Sequence, residues 1–310
     1  MKAVVIPRFG GPEVLGVADL PARAPGPGEV RIRVAAAAVN PTDLALREGL
    51  FPTGDLVPPY IPGMDLAGVV DALGPGVTDP RPGTRVMAIV IPRRPEGGAQ
   101  QELVVVPADA VAPVPGGATL AQAATLPMNG LTVRRALDLL ALPPGATLAV
   151  TGAAGAVGGY AIQLGKLEGL RIIADAQPSD EALVRRLGAD VVVPRGDGVA
   201  TAIRAALPGG VDALLDGAVQ GQAVLPAVRD DGQVAAVRRF SGAPERGIRI
   251  QHVAVTDYAH NRAALEELGR LAAAGRLTLR VAETLPPEAA PAAHRKLAAG
   301  GVRGRLVLVF

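Results

Sequence analysis

The first hundred residues alternate short apolar runs with Gly- and Pro-rich breaks. Ala3 to Pro7, Glu29 to Val39, Gly68 to Leu73, Arg85 to Ile91 and Gln101 to Val106 have strand length, and Pro21 to Gly28 and Pro75 to Gly83 supply turns between them. This spacing predicts a mostly antiparallel, barrel-like domain. From about Leu120 the pattern changes. Ala121 to Ala124 opens a helical stretch and Leu131 to Leu140 continues as another. Ala146 to Thr151 then reads as a buried strand, Val157 to Leu167 as a helix, Arg171 to Ala174 as a strand and Asp180 to Leu187 as a helix. Val191 to Val193, Ala213 to Leu215 and Gln233 to Val237 are three further strands. Strands alternating with helices predict an α/β fold with a parallel, doubly wound sheet. After about Val255, helices over Arg262 to Ala274 and Pro291 to Ala299 precede a final strand, Arg305 to Phe310, which should rejoin the first domain.

Composition narrows the function classes. At 310 residues the chain is about twice the usual single-domain length, so two domains are expected. Hydrophobic residues make up 49% of it while aromatics are 2% and Trp is absent, so the core is built from Ala, Val, Leu and Ile. The 31 basic and 29 acidic residues nearly cancel, which gives nucleic-acid binding no support. Cysteine is absent, so disulfides, thiolate catalysis and Cys-ligated metals are excluded. Met1-Lys2 runs into an apolar strand too short for a signal segment, and no apolar run approaches the ~18 residues of a membrane span. A cytoplasmic protein with no membrane partner is expected.

The strongest local signal is Leu148-Ala149-Val150-Thr151-Gly152-Ala153-Ala154-Gly155-Ala156-Val157-Gly158-Gly159, an apolar strand feeding a small-residue turn and a helix. It fits A-x-G-x-x-G, a relaxed dinucleotide fingerprint. Gly155 would let the backbone approach a pyrophosphate, Gly158 would let the helix pack on the sheet, and the helix N-terminus would receive the phosphates. A turn of this kind also serves packing alone. The following strand ends near Asp175, about 20 residues beyond Gly155, as a mononucleotide-binding unit requires.

Several blocks in order resemble the zinc-independent quinone oxidoreductases of the medium-chain dehydrogenase/reductase superfamily. They are Met1-Lys2-Ala3-Val4, Val39-Asn40-Pro41-Thr42-Asp43 with Arg47-Glu48-Gly49, Ile61 to Val70, Leu126 to Thr132, the glycine turn, Leu187-Gly188-Ala189-Asp190, Ala293 to Lys296, and Gly301 to Leu308. The resemblance implies a GroES-like β-barrel catalytic domain, residues 1–120 completed by 259–310, around a Rossmann domain, 121–258, with the active site in the cleft between them. Zinc-dependent relatives carry Gly-His-Glu where this chain has Gly63-Met64-Asp65, so catalytic zinc is not expected. His252, His260 and His294 are scattered and read as surface or capping residues.

The implied reaction is hydride transfer from NAD(P)H to a quinone or an activated alkene (enone), the cofactor supplying the chemistry and the protein the positioning and electrostatics. Family correspondence nominates Asn40, Asp43 and Thr132 as catalytic, and Tyr60 is a candidate proton donor, although Leu46 and Phe51 stand where some relatives have an active-site Tyr. For the cofactor, the glycine fingerprint, the strand ends and the resemblance together nominate Asn129, Thr132, Ala154, Gly155, Ala156, Val157, Gly158, Asp175, Gln177, Arg195, Gly217, Val237, Phe240 and Arg305. Structural alternatives stay open: Asn40-Pro41-Thr42-Asp43 and Thr132 as helix caps, and Tyr60 and Phe240 as packing residues. Proton delivery from solvent is also compatible.

The family prefers NADPH, yet Ile173 to Asp180 contains no Arg or Lys, and a 2′-phosphate there would meet Asp175 and Asp180. Asp175 speaks for NADH. Arg195, where relatives have a Tyr against the 2′-phosphate, would restore the positive charge, and NADPH is the narrow favourite. Two alternatives remain: an enoyl-thioester reductase, and a non-catalytic cofactor-binding protein resembling the lens crystallins of this family. A homodimer joined through the strand near Val234 to Val237 or near Ile248 to Val253 is expected by resemblance. The loops Glu48 to Tyr60 and Pro92 to Gly98 would wall the substrate.

Overall fold

The structure, a computed structural model, describes residues 1–51 and 53–310. Pro52, inside the predicted substrate loop, lies outside the described residues. The chain opens with β1 (Lys2–Val5), β2 (Gly16–Asp19), β3 (Glu29–Ala38), α1 (Pro41–Arg47), β4 (Asp65–Leu73), β5 (Arg85–Ile89), β6 (Leu103–Pro107) and β7 (Val111–Pro113). Helices α2 (Leu120–Ala123) and α3 (Pro127–Leu140) follow. Next come β8 (Thr147–Thr151), α4 (Ala156–Leu167), β9 (Arg171–Ala176), α5 (Glu181–Arg186), β10 (Val191–Pro194), α6 (Val199–Ala206), β11 (Val211–Asp216), β12 (Val228–Ala236) and β13 (Arg249–His252). The chain closes with α7 (Arg262–Ala273), β14 (Val281–Leu285), α8 (Ala290–Ala299) and β15 (Arg305–Val309). Among the described residues no helix is long and apolar enough to cross a membrane.

Contacts divide the chain into two compact units: Met1–Met128 with Ala259–Phe310, and Asn129–Tyr258. The first is organised on a sheet of order β14-β15-β3-β4-β5-β7 with β6 also on β3. One edge of β3 pairs with β4, while its other edge is shared: Glu29 to Arg33 with β6 and Ala36 to Ala38 with β15. The final strand therefore returns to the first unit, antiparallel to β3. Val30, Ile32 and Val34 alternate into a core with Leu66, Val70, Val86 and Val104, the period-two burial expected of a sheet with one solvated face.

The second unit is a parallel sheet of order β10-β9-β8-β11-β12-β13. This is the doubly wound dinucleotide-binding order, whose direction of winding reverses between β8 and β11. All five residues of β8 are buried, because helices cover both faces. Ala149, Ile173, Leu214 and Val234 from four adjacent strands form its core with Val199 and Ile203 of α6.

Three expectations need correction. Thr132 does not cap a helix at Val133; it lies inside α3, which begins five residues earlier at Pro127. Of the two predicted edge strands, the one ending near Val237 is interior: β12 is bonded to β11 and β13 on its two sides, which leaves β13 as the edge. Finally, α6, β2, β7 and β14 have no predicted counterpart. Each is short, and β14 alternates half-buried with exposed positions, so it carries little hydrophobic signal.

Candidate active site

The turn between β8 and α4 forms one wall of a cleft of about 260 Å³ in the second unit. Gly152, Ala153, Ala154 and Gly155 line it on one side, Gly217 and Ala218 on another, with Asp175, Ala176, Asp180 and Arg195 completing it. Gly155 is the N-cap of α4 in extended conformation, so the first-turn N–H groups of Ala156, Val157 and Gly158 have no acceptor within the helix. They meet the positive end of the helix dipole, which suits a diphosphate.

The two glycines of the fingerprint differ. A Cβ on Gly158 would sit 2.4 Å from the Gly152 carbonyl oxygen and 2.6 Å from the Ala153 Cα, so this glycine lets the helix lie against the turn. A Cβ on Gly155 would meet only the Gly152 oxygen, at 3.1 Å. Packing therefore explains Gly158 fully and Gly155 only weakly. The open space beside Gly155 is what a bound phosphate needs.

Asp175 ends the strand as expected, but its buried Oδ1 accepts a 2.9 Å hydrogen bond from the Ala153 N–H. It shapes the glycine turn from beneath. Arg195 is exposed, and its backbone N–H donates to the Ala176 carbonyl, which keeps it at the mouth of the cleft. Gln177 is exposed beside it, lining an adjoining cavity of about 270 Å³ with Arg195 and Glu181. Val237 follows the end of β12, and Phe240 packs against the core of this unit. Asn129 and Thr132, both buried, are three residues apart on α3 and so share a face.

Of the remaining nominated residues, Asn40, Asp43 and Arg305 gather in the first unit around a buried ion pair, and Tyr60 stands apart from it. Arg305 Nη2 lies 3.0 Å from Asp65 Oδ2, both side chains being almost wholly buried, and also donates to Asn40 Oδ1 at 2.6 Å and to the Val39 carbonyl at 3.2 Å. Asn40 Nδ2 donates to the same Asp65 oxygen at 2.8 Å, and Asp65 Oδ1 accepts from the Met128 N–H at 2.6 Å. Both ends of the Asn40 amide are thus engaged. Asp43 accepts from the N–H groups of Asn40 (2.8 Å) and Gly63 (2.9 Å) and from Gln100 Nε2 (3.2 Å), the arrangement of a helix-start cap. Burial, with the nearby Asp65 carboxylate, pushes the Asp43 carboxyl up to about 7, against those N–H donors and Arg305. Tyr60 stacks on Phe9 with centroids 5.3 Å apart, and its hydroxyl donates to the Leu56 carbonyl.

Asp65 is the member of this cluster that sequence reasoning overlooked. It stood in Gly63-Met64-Asp65 only as a departure from a zinc motif. Among the described residues no three His, Asp or Glu side chains are arranged to hold a metal.

The histidines divide differently from expectation. His252 is exposed at the end of β13, and His260 is exposed and pairs with Asp109. His294, however, is fully buried, with Nδ1 3.2 Å from Arg47 Nη1 and Nε2 without a partner. Burial and the Arg47 charge hold its pKa at about 3. The unfolded chain binds the proton near 6.5. Folding therefore favours neutral His294, and this contribution is present above pH 6.5 and lost as pH falls toward 3. The stability advantage of wild type over His294→Leu should shrink by roughly 3 kcal/mol between pH 7 and pH 4 in urea titrations. Asp43, whose shift has the opposite sign, cancels from that difference. A pH-independent difference would refute the assignment.

Residues 26–116 match the alcohol dehydrogenase GroES-like domain and residues 187–308 the zinc-binding dehydrogenase family. The trans-enoyl reductase tndF of Aspergillus flavipes is 35% identical over 240 residues, 71% of this chain and 68% of that protein. The chloroplastic NADPH-dependent alkenal/one oxidoreductase of Arabidopsis thaliana is 35% identical over 200 residues, 62% of this chain and 52% of that one. Among solved structures, the quinone oxidoreductase from Coxiella burnetii superposes with a TM-score of 0.89 at 28% identity, covering 100% of this chain and 99% of that one. The winding order, the glycine turn and these matches agree: the chain belongs to the medium-chain dehydrogenase/reductase superfamily, with quinone oxidoreductases among its structural neighbours, and is an NAD(P)-dependent oxidoreductase.

Proposed function

We propose that this protein is an NADPH-dependent reductase acting on quinones or enones, with residues 129–258 as the cofactor domain and the rest as the catalytic domain. The observation that carries the reading is the cleft at the start of α4, where the positive end of the helix and the space beside Gly155 face a wall holding Arg195. Bound there, NADPH supplies hydride to the electrophilic carbon. The first turn of α4 holds the diphosphate, Arg195 neutralises the 2′-phosphate, and Asn129, Thr132 and Gly217 border the nicotinamide half. Asp175 commits one carboxylate oxygen to the Ala153 N–H, and Arg195 on the same cleft wall is the feature that favours NADPH. Asn40 and Asp43 act as positioning residues, since their polar atoms are consumed within a buried network. With the Tyr60 hydroxyl engaged on Leu56, the proton comes from solvent.

The trans-enoyl reductase among the relatives favours enoyl thioesters as a second substrate class. Following cofactor absorbance with a benzoquinone, a simple enone and an enoyl thioester separates the two, and no turnover with any of them would overturn both. Arg195→Ala should raise the KM for NADPH about tenfold while leaving that for NADH unchanged. An unchanged NADPH KM would remove Arg195 from the site. We also propose a cytoplasmic homodimer joined through the free edge of β13, testable by light scattering.

A further inference from the structure

The winding reversal lies between β8 and β11, whose last residues, Thr151 and Asp216, are register partners. Both side chains are buried and bonded to each other: Thr151 Oγ1 donates to Asp216 Oδ1 at 2.9 Å. Among the described residues, the other hydrogen bonds of these two side chains go to the loop following β11. Thr151 Oγ1 accepts from the Ala218 N–H at 3.2 Å, Asp216 Oδ1 from Gln220 N–H at 3.1 Å, and Asp216 Oδ2 from Gly221 N–H at 2.9 Å. That loop is one lip of the cleft, and the glycine turn following Thr151 is the other.

The lips approach as closely as glycine allows. A Cβ on Gly152 would lie 3.0 Å from the Gly217 carbonyl carbon, and a Cβ on Gly217 would lie 2.6 Å from the Thr151 carbonyl oxygen. Within the loop, Val219 is held at φ 59°, a left-handed conformation disfavoured for a β-branched side chain, although its side chain is 46% exposed. The N–H bonds to Asp216 on the next two residues account for its persistence.

We infer that Thr151 and Asp216 are positioning residues whose hydrogen-bonded pair sets the spacing of the two lips and thereby the affinity for the part of the dinucleotide that this cleft holds, the adenosine phosphate half facing Arg195. The inference deepens the cofactor assignment and rests on it. Two ligands test it: NADPH, and adenosine 2′,5′-bisphosphate, which carries the adenosine half alone.

Thr151→Val removes the hydroxyl while keeping shape, and Thr151→Ser keeps the hydroxyl. For Thr151→Val the Kd of NADPH and that of adenosine 2′,5′-bisphosphate should each rise about tenfold, the loss of one or two hydrogen bonds, with Thr151→Ser near wild type for both. Asp216→Asn, which sets an NH2 donor against the Gly221 N–H, should weaken both ligands further. Failure of Ser to restore affinity, or unchanged binding of either ligand in Thr151→Val, would each overturn the inference. If Asp216→Asn does not fold, the Thr151 pair still decides. Wild type that binds neither ligand would instead remove the cofactor assignment itself, and the positioning role with it.

Discussion

Replacing Asp65 with Ala should lower the free energy of unfolding by about 3–5 kcal/mol, because it strands the buried Arg305 guanidinium without its counter-charge. The loss goes beyond one ion pair. Asp65 also accepts the Asn40 amide and the Met128 N–H, and both of those hydrogen bonds would be lost with it. Arg305→Met should be comparably damaging for the complementary reason, since it exposes Asp65 to desolvation with only neutral donors left. The double variant Asp65→Ala/Arg305→Met should be more stable than the sum of the two losses implies, as the interaction is counted twice in that sum. Denaturant titrations of all four proteins measure this directly. A loss below about 1 kcal/mol in Asp65→Ala would show that the cluster carries little of the stability of the first unit.

The second large effect separates the two glycines of the turn, one expected to make room for a ligand and the other for the helix. Gly155→Val should weaken NADPH binding on the order of a hundredfold while changing the melting temperature little, because its side chain fills ligand space more than protein space. Gly158→Ala should do the reverse. Its Cβ meets two backbone atoms at 2.4 and 2.6 Å, so α4 must move, at a cost of about 1–3 kcal/mol. Calorimetric titration with NADPH alongside thermal melts distinguishes the two. A Gly155→Val protein that binds NADPH as wild type does would place the diphosphate elsewhere.

How much of this was legible depended on how locally each feature is encoded. The parallel sheet was readable because β8, β9 and β11 each hold a short apolar run, Leu148 to Val150, Ile172 to Ala174 and Ala213 to Leu215, and α4 follows a glycine turn, signals contained within about ten residues. The short elements β2, β7 and β14 were not, since each is three to five residues long and takes its stability from a paired strand outside its own segment: β14 pairs with β15 and β2 with β1. His294 illustrates the same limit. Nothing in Ala293-His294-Arg295-Lys296 announces a buried imidazole, and its environment is set by Arg47, 247 residues away.

By itself the sequence determined the two-part α/β architecture, the absence of cysteine chemistry and the position of the dinucleotide turn, since hydrophobic period, composition and glycine placement are local properties of the chain. Only the tertiary structure decided which polar residues stand free and which are consumed. Asp175 turns to the Ala153 N–H, Arg305 closes on Asp65 and Asn40, and Thr151 joins Asp216 across adjacent strands. Those pairings depend on long-range strand register and burial, which bring together groups up to 265 residues apart, and no spacing along the chain records them.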